Sequence, residues 1–169
     1  MSDAESSPSS SSGRMAIIAT VVVIGLFFCC AASGLFAAIA IPNFISMQYR
    51  AKRSEVPSNV DGIRTAQLAH HSAFGTYVSC SSEAAAQATL RKSGGKVQHP
   101  FNEAGDPCWD ELGWAPLGEP RGAYWVEVTE GGASFKVGGI CDVDGDGLFA
   151  VYEATPVEGA VLKAPVYTY

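Results

Sequence analysis

The longest feature of the hydrophobicity pattern is an uninterrupted apolar segment near the amino terminus. Met15 to Ile41 is a run of 27 residues without a charged side chain. About 20 apolar residues suffice for a helix to cross a bilayer, so the pattern predicts a transmembrane helix. The serine-rich residues 1–14 before it have little apolar surface to bury, and we expect them to be a disordered tail.

A cleaved secretory signal is the alternative interpretation of this segment, with Ala38-Ile39-Ala40 as the small-x-small cleavage site. The apolar run is roughly twice as long as the usual core of a signal peptide. The residues that follow it also continue smoothly into a helical pattern. Both observations favour a permanent anchor.

After Pro42 the pattern turns amphipathic, and we expect one transmembrane and amphipathic helix over residues 15–56. Arg50, Lys52 and Arg53 then lie near the lipid headgroups. Under the positive-inside rule these charges favour a cytoplasmic location, whereas a cysteine-bearing domain beyond them favours an oxidising compartment. The two indications of orientation conflict.

The next helix is expected to begin after a proline. Pro57 disfavours helical geometry at Val56, and Ser58 followed by Asp61 is typical of a capped helix N-terminus. The spacing therefore predicts a break at Pro57 and a second helix that ends near Phe74.

Residues 79–122 are rich in Gly, Pro and Ser, which predicts a long loop with one short helix near Glu83 to Leu90. Beyond the loop, short apolar runs separated by turn residues indicate strands. These are Ala123 to Thr129, Ala133 to Ile140, Leu148 to Thr155 and a short one near Tyr167. Such short links favour antiparallel pairing. The sequence thus predicts an α+β fold, in which a long kinked helix packs on a small antiparallel sheet within a globular domain of residues 57–169.

The charge balance excludes one class of partner. The chain of 169 residues carries a net charge of −6, and residues 57–169 hold 7 basic and 14 acidic side chains, or −7. Such a domain repels nucleic acid, so a cation or a basic surface is the better complement. No catalytic triad order, phosphate loop or dinucleotide fingerprint is present, and we expect no enzyme activity.

An acidic loop is the strongest candidate for metal chemistry. Asp142, Asp144 and Asp146 lie within five residues, and Glu153 completes the twelve-residue calcium-loop pattern D-x-D-x-D-G-x5-E. The flanking segments are predicted strands rather than helices. Extended chain would carry Glu153 about 23 Å from Asp146. The expected ligands are therefore the three aspartates, with calcium as the ion; a hydrated turn is the alternative.

The cysteines fall into two groups. Cys29 and Cys30 lie inside the apolar run, where packing is their expected role. Cys80, Cys108 and Cys141 lie beyond it and allow one disulfide. We favour a bond from Cys80 to Cys108, which would brace the long loop, with Cys108 to Cys141 as the next choice.

Histidine and tryptophan residues offer weaker candidates. A zinc site that combines the outer cysteines with His99 is disfavoured because no C-x-x-C pair exists. His70 and His71 point about 100° apart on a helix, so we expect both at the surface. The tryptophans, Trp109, Trp114 and Trp125, are expected to form the aromatic core of the sheet; exposed, they could bind a sugar or a partner.

The segment SGLFAAIAIPNFISMQYRAKRSE, Ser33 to Glu55, resembles the amino-terminal helix of type IV pilins and pseudopilins. That family has a GILAAIAIPNF-like stretch followed by a polar run, and Gly34, Pro42 and Phe44 agree with its spacing. The chain is also similar to pilin-like proteins with a carboxy-terminal LGW, RG-Y and DVDGDG pattern. The matching residues here are Leu112-Gly113-Trp114, Arg121-Gly122, Tyr124 and Asp142 to Gly147.

The resemblance implies a pilin-like structural subunit of a type IV pilus or of a type II secretion pseudopilus-like assembly. It implies a single-pass protein of the bacterial inner membrane, with its carboxy-terminal domain periplasmic or extracellular. The implied partners are inner-membrane lipid and other pilin-like subunits. Small residues that allow close helix packing are expected at the contacts. With the proline, these are Ser33, Gly34, Ala37, Ala38 and Pro42.

The amino end departs from the family pattern. The family has a glycine before the prepilin peptidase cut, a phenylalanine after it and a glutamate four residues later. Registered on Pro42, these positions hold Thr20, Val21 and Gly25. In the family the glutamate pairs with the new amine of the neighbouring subunit. Gly25 therefore favours an alternative function, a membrane-tethered binding domain that keeps the pilin fold without polymerising and has a calcium-stabilised loop.

Overall fold

The computed structural model of the protein describes residues 10–163. Its internal contacts divide the chain after Ile45, into an amino-terminal helical body and a folded body that begins at Ser46. The sequence places this boundary at residue 56. The structure places it earlier because Tyr49, on the last turns of the first helix, already packs against the core of the folded body.

The first helix, α1, runs from Ser10 to Arg53 and contains Pro42 without interruption. Every residue from 13 to 45 is exposed, although the segment is apolar. This helix is long and apolar enough to span a membrane, a test that a signal sequence also passes. The helix begins inside the expected disordered tail, since adding a residue to an existing helix costs far less than starting one; residues 1–9 lie outside the described part.

The second helix, α2 (Glu55–Phe74), begins before Pro57, so the expected helix start at Ser58 is wrong. Proline is tolerated in the first helical turn because the N–H groups of that turn have few partners within the helix. Pro57 cannot donate to the carbonyl of Arg53, and the helix is interrupted close by, at Ser54. At the other end Gly75 adopts a left-handed conformation and donates its N–H to His71 O.

The sheet has four antiparallel strands in sequential order. They are β1 (Ala123–Thr129), β2 (Ser134–Cys141), β3 (Ala150–Ala154) and β4 (Val161–Leu162). The first three agree with the predicted strands to within two residues. The predicted strand near Tyr167 lies outside the described residues, and β4 pairs with β3 through Val161 and Leu162 instead. The α+β class and the antiparallel sheet are confirmed.

Two short helices lie in the connection between α2 and the sheet. Helix α3 (Glu83–Ser93) confirms the predicted alanine-rich helix; the side chain of Ser82 caps its N-terminus by accepting from Ala85 N. Helix α4 (Cys108–Leu112) has no counterpart in the sequence analysis.

Helices cover both faces of the sheet. On one face, Val56, Val60 and Ile63 of α2 join a core that contains Val126 and Phe135. On the other face, Ala86 and Leu90 of α3 pack with a smaller cluster around Trp125 and Ile140. Because both faces are covered, the end of β2 is buried continuously rather than at alternate positions.

Candidate metal centre

The three aspartates of the acidic loop come together between β2 and β3. Their carboxylate oxygens lie within 4.8 Å of one another, a spacing that could hold a metal ion. Asp142 is buried, Asp144 is half-buried and Asp146 is exposed. The cluster is thus anchored at its inner end and open to solvent at its outer end.

Backbone N–H groups hold the inner carboxylate in place. Asp142 Oδ1 accepts from Gly145 N at 2.7 Å and from Asp146 N at 3.1 Å, while Oδ2 accepts from Gly147 N at 3.1 Å. The loop can turn this tightly because Gly145 and Gly147 have φ of 71° and 86°, a region that favours glycine. An ionised carboxylate offers about four lone-pair sites, so Asp142 keeps one for a further partner.

Like charge accumulates at the centre of the loop. Partial burial raises the pKa of Asp144, and the negative charges of Asp146 and Asp142 raise it further. The folded protein therefore binds a proton at this position more readily than the unfolded chain. At neutral pH the ionised group destabilises the fold, and that cost disappears as the pH falls through the raised pKa. A bound cation would relieve the same repulsion without a proton.

The turn after α3 lies against one side of the loop. A Cβ at Gly95 would lie 2.6 Å from Asp142 O, and a Cβ at Gly145 would overlap the alkyl chain of Lys96. Gly95 is needed for this close approach because its neighbour is backbone, whereas Gly145 is favoured by its φ of 71°. The turn shields the inner aspartate and leaves the outer one to solvent.

Glu153 does not join the cluster. It lies in β3 opposite Gly138, and its carboxylate is 3.5 Å from Lys136 Nζ. The structure agrees with the expectation that extended chain carries Glu153 away from the loop. The complete calcium-loop pattern therefore includes one carboxylate, that of Glu153, which lies outside the cluster.

The disulfide joins Cys80 and Cys108, with their Cα atoms 5.4 Å apart, as the sequence analysis favoured. Cys141 is a buried free thiol, whose pKa burial raises to about 12. Cys29 and Cys30 are free and exposed on α1. Within the described residues no metal-binding group forms around His99, since the three aspartates are the set that comes together.

The expectation that His70 lies at the surface is wrong. Its side chain is buried, and Nδ1 lies 2.9 Å from Thr76 O. One turn earlier, the fully buried Gln67 donates to Val78 O at 2.6 Å and accepts from Val78 N at 3.1 Å. These two side chains fix the segment that follows α2. Their spacing from Ile63, at i+4 and i+7, is the signal that places them on the buried face.

The tryptophans are part of the packed interior, as expected. Trp109 and Trp125 are buried, and the partly buried Trp114 contacts Trp109 with ring centroids 5.6 Å apart. Phe101 and Tyr124 extend the same aromatic cluster.

The predicted helix-packing residues lie along the exposed part of α1. They are Ser33, Gly34, Ala37, Ala38 and Pro42. A Cβ added at Gly34 would meet nothing within 4 Å, and the Ser33 hydroxyl donates to Cys29 O at 2.8 Å. These five residues thus include no unpaired hydroxyl group. Most of them have small side chains, which leave room for another helix to approach.

Three comparisons were made with known proteins. No protein-family model, no curated protein and no solved structure matches this chain.

Proposed function

We propose that this chain is a membrane-anchored, pilin-like structural subunit of a type IV pilus or of a type II secretion pseudopilus-like assembly. One observation carries the proposal. An apolar helix, exposed throughout residues 13–45, ends at Arg53 and is followed after Ser54 by the helix that covers an antiparallel sheet. Such a chain has an anchor for lipid, a helix surface for neighbouring subunits and a folded domain to display.

The sequence of the exposed helix supports this proposal. Ser33 to Glu55 resembles the pilin amino-terminal helix, and it includes the small residues at which a neighbouring helix can approach. Partners would be inner-membrane lipid and other pilin-like subunits, with the folded domain on the periplasmic or extracellular side. The disulfide between Cys80 and Cys108 supports an oxidising compartment for that domain.

Two leucine substitutions test the packing surface. Gly34→Leu and Ala32→Leu place the same side chain at two exposed positions of α1, and only Gly34 belongs to the predicted packing residues. Protein extracted from native membranes in mild detergent should form oligomers on native gels. We expect Gly34→Leu to reduce the oligomer fraction several-fold, because the leucine keeps a neighbouring helix away, and the Ala32→Leu control to retain it. An equal loss in both variants, or monomers alone in the wild type, would contradict the proposal.

The second candidate function is a tethered binding domain that keeps this fold and does not polymerise. Gly25 favours it, because the family glutamate expected in this register is missing. The intact mass and amino-terminal sequence of the native protein separate the two functions. Loss of the segment through Gly13 or Thr20 supports a processed filament subunit. A chain that retains its serine-rich tail supports the tethered domain.

We further propose that the ion held by the acidic loop is calcium. Three carboxylates with an open outer side supply hard oxygen ligands, and water can complete the seven or so that calcium takes. The backbone hydrogen bonds of Asp142 support this proposal, since they hold the inner ligand before an ion arrives.

A calcium titration followed by thermal unfolding tests this site. Calcium at 100 times its Kd should stabilise the folded domain by about 2.7 kcal/mol. Asp144→Asn should remove most of this stabilisation, and Asp110→Asn, an exposed control in α4, should retain it. The effect should fade as the pH falls through the raised pKa of Asp144, because a proton on that carboxylate competes with the ion. An unchanged unfolding temperature at millimolar calcium would exclude the site.

A further inference from the structure

A concave site lies beside α3. This cleft of about 1100 Å³ runs between α3 and the segment 98–106, with Trp109, Ala123 and Tyr124 among its lining residues. It lies wholly inside the folded body. Its size is that of sites that hold small organic molecules.

The polar groups of the cleft mostly pair with one another. Ser82 Oγ accepts from Ala85 N, and the Asn102 side chain both donates to Asp106 O and accepts from Asp106 N. Lys92 on α3 pairs with Glu103 on the opposite wall at 3.0 Å. These groups need no ligand, so the surface they leave for one is mainly apolar.

Aromatic side chains are part of that apolar lining. The ring of Phe101 packs edge-on against Trp109 with centroids 5.2 Å apart, and both line the cleft. Flat aromatic groups pack well against such a pair in offset or edge-on arrangements.

One buried polar atom in the lining has no partner. His99 Nδ1 lies 3.2 Å from Pro100 O, a carbonyl that can only accept, so in the neutral ring Nδ1 carries the proton. His99 Nε2 is then an acceptor, and it is buried without a hydrogen-bond partner. Such atoms are rare in folded proteins, and each one calls for a donor.

We propose that this cleft binds a small aromatic molecule that carries a single O–H or N–H donor. The ring packs on the partly buried Phe101, next to Trp109, and the donor hydrogen-bonds to His99 Nε2. Because Nε2 is covered in the structure, the imidazole must turn toward the cleft when the ligand enters; side-chain changes of this kind are common on binding. The site is separate from the exposed helix, so it does not depend on filament assembly.

Phenol and anisole are the probes that test this proposal, since anisole has a methyl group in place of the hydroxyl hydrogen of phenol and so lacks the donor. The full-length protein in lipid nanodiscs, labelled with ¹⁵N-histidine, would be titrated with each compound while the His99 ring resonances are recorded. We expect saturable shifts with phenol and binding about fivefold weaker with anisole, the range of one net hydrogen bond. His99→Phe should bind both compounds equally, as read from the Trp109 indole resonance.

Two further variants separate the cleft from the lipid. Ala85→Trp fills the cleft from an exposed position on α3, and Ala84→Trp makes the same change at an exposed position outside it. Ala85→Trp should abolish the saturable shifts, and Ala84→Trp should retain them. Shifts that persist in Ala85→Trp, equal affinity of the wild type for phenol and anisole, or no saturation at millimolar phenol would each overturn the proposal.

Discussion

The two bodies of this protein are both rich in apolar residues and use them in opposite ways. In residues 13–45 no side chain is buried, and Phe27 and Phe36 are 73% and 75% exposed. In the folded body Trp125 and Phe135 are 2% and 1% exposed. A soluble protein rarely exposes a continuous apolar surface of this length.

This difference means that the two bodies differ in what covers their apolar side chains: the folded body covers its own, and the exposed helix does not. The folded body gains stability by removing apolar side chains from water. The exposed helix can remove its apolar side chains from water only by contact with lipid or with another helix. Its backbone is already satisfied by helical hydrogen bonds, which is the condition for crossing a bilayer.

The prediction with the largest expected effect on stability substitutes one phenylalanine in each body. Phe135→Ala removes a buried ring and should lower the free energy of unfolding of the folded body by about 3–5 kcal/mol. Phe36→Ala should leave that free energy unchanged, because the ring contributes nothing to the core. Denaturant unfolding of both variants, followed by tryptophan fluorescence in detergent, measures the two values. Equal losses would contradict the division into two bodies.

The disulfide should matter to the folded body alone. Replacing both Cys80 and Cys108 by alanine opens a bridge with a sequence separation of 28. The chain-entropy relation gives a loss of about 3 to 4 kcal/mol. The matched control replaces Cys29 and Cys30 by alanine, which should leave the unfolding free energy unchanged. If the control lost as much stability, the thiols of α1 would have a structural role in the folded body.

A smaller difference in stability is expected between alanine substitutions at two glycines. At Gly139 a new Cβ would lie 2.5 Å from Val60 Cγ2, whereas at Gly34 it would meet nothing within 4 Å. Gly139→Ala should therefore destabilise the folded body by about 1–3 kcal/mol through overpacking. Gly34→Ala should have no effect on the same unfolding transition. Equal stability of the two variants would mean that α2 does not pack closely on β2.

Local patterns were enough to predict most of the regular elements. Strand β1 has the bounds that the sequence predicts, and α2 ends at Phe74 because Gly75 supplies a left-handed residue. The acidic loop was also predictable, since its two Asp-Gly steps favour a turn, and a turn brings the three carboxylates together. The disulfide was one of two open choices, which sequence spacing alone does not decide.

Tertiary contacts account for what the sequence analysis missed. Val56 is helical despite the proline after it, and its side chain is fully buried in the core against the sheet. Helix α4 is only five residues long, and it is held by the Cys108 disulfide and the buried Trp109 rather than by helical periodicity. The buried His70 has its partner, Thr76 O, beyond the end of the helix. No local pattern contains such contacts.

The most direct test of the proposed function is cross-linking of the protein in its intact native membrane. A short amine-reactive or photoreactive cross-linker should give a ladder at multiples of the subunit mass, alone or with other pilin-like chains. Gly34→Leu should shorten that ladder. A single monomer band under conditions that cross-link a known membrane oligomer would contradict the structural-subunit account.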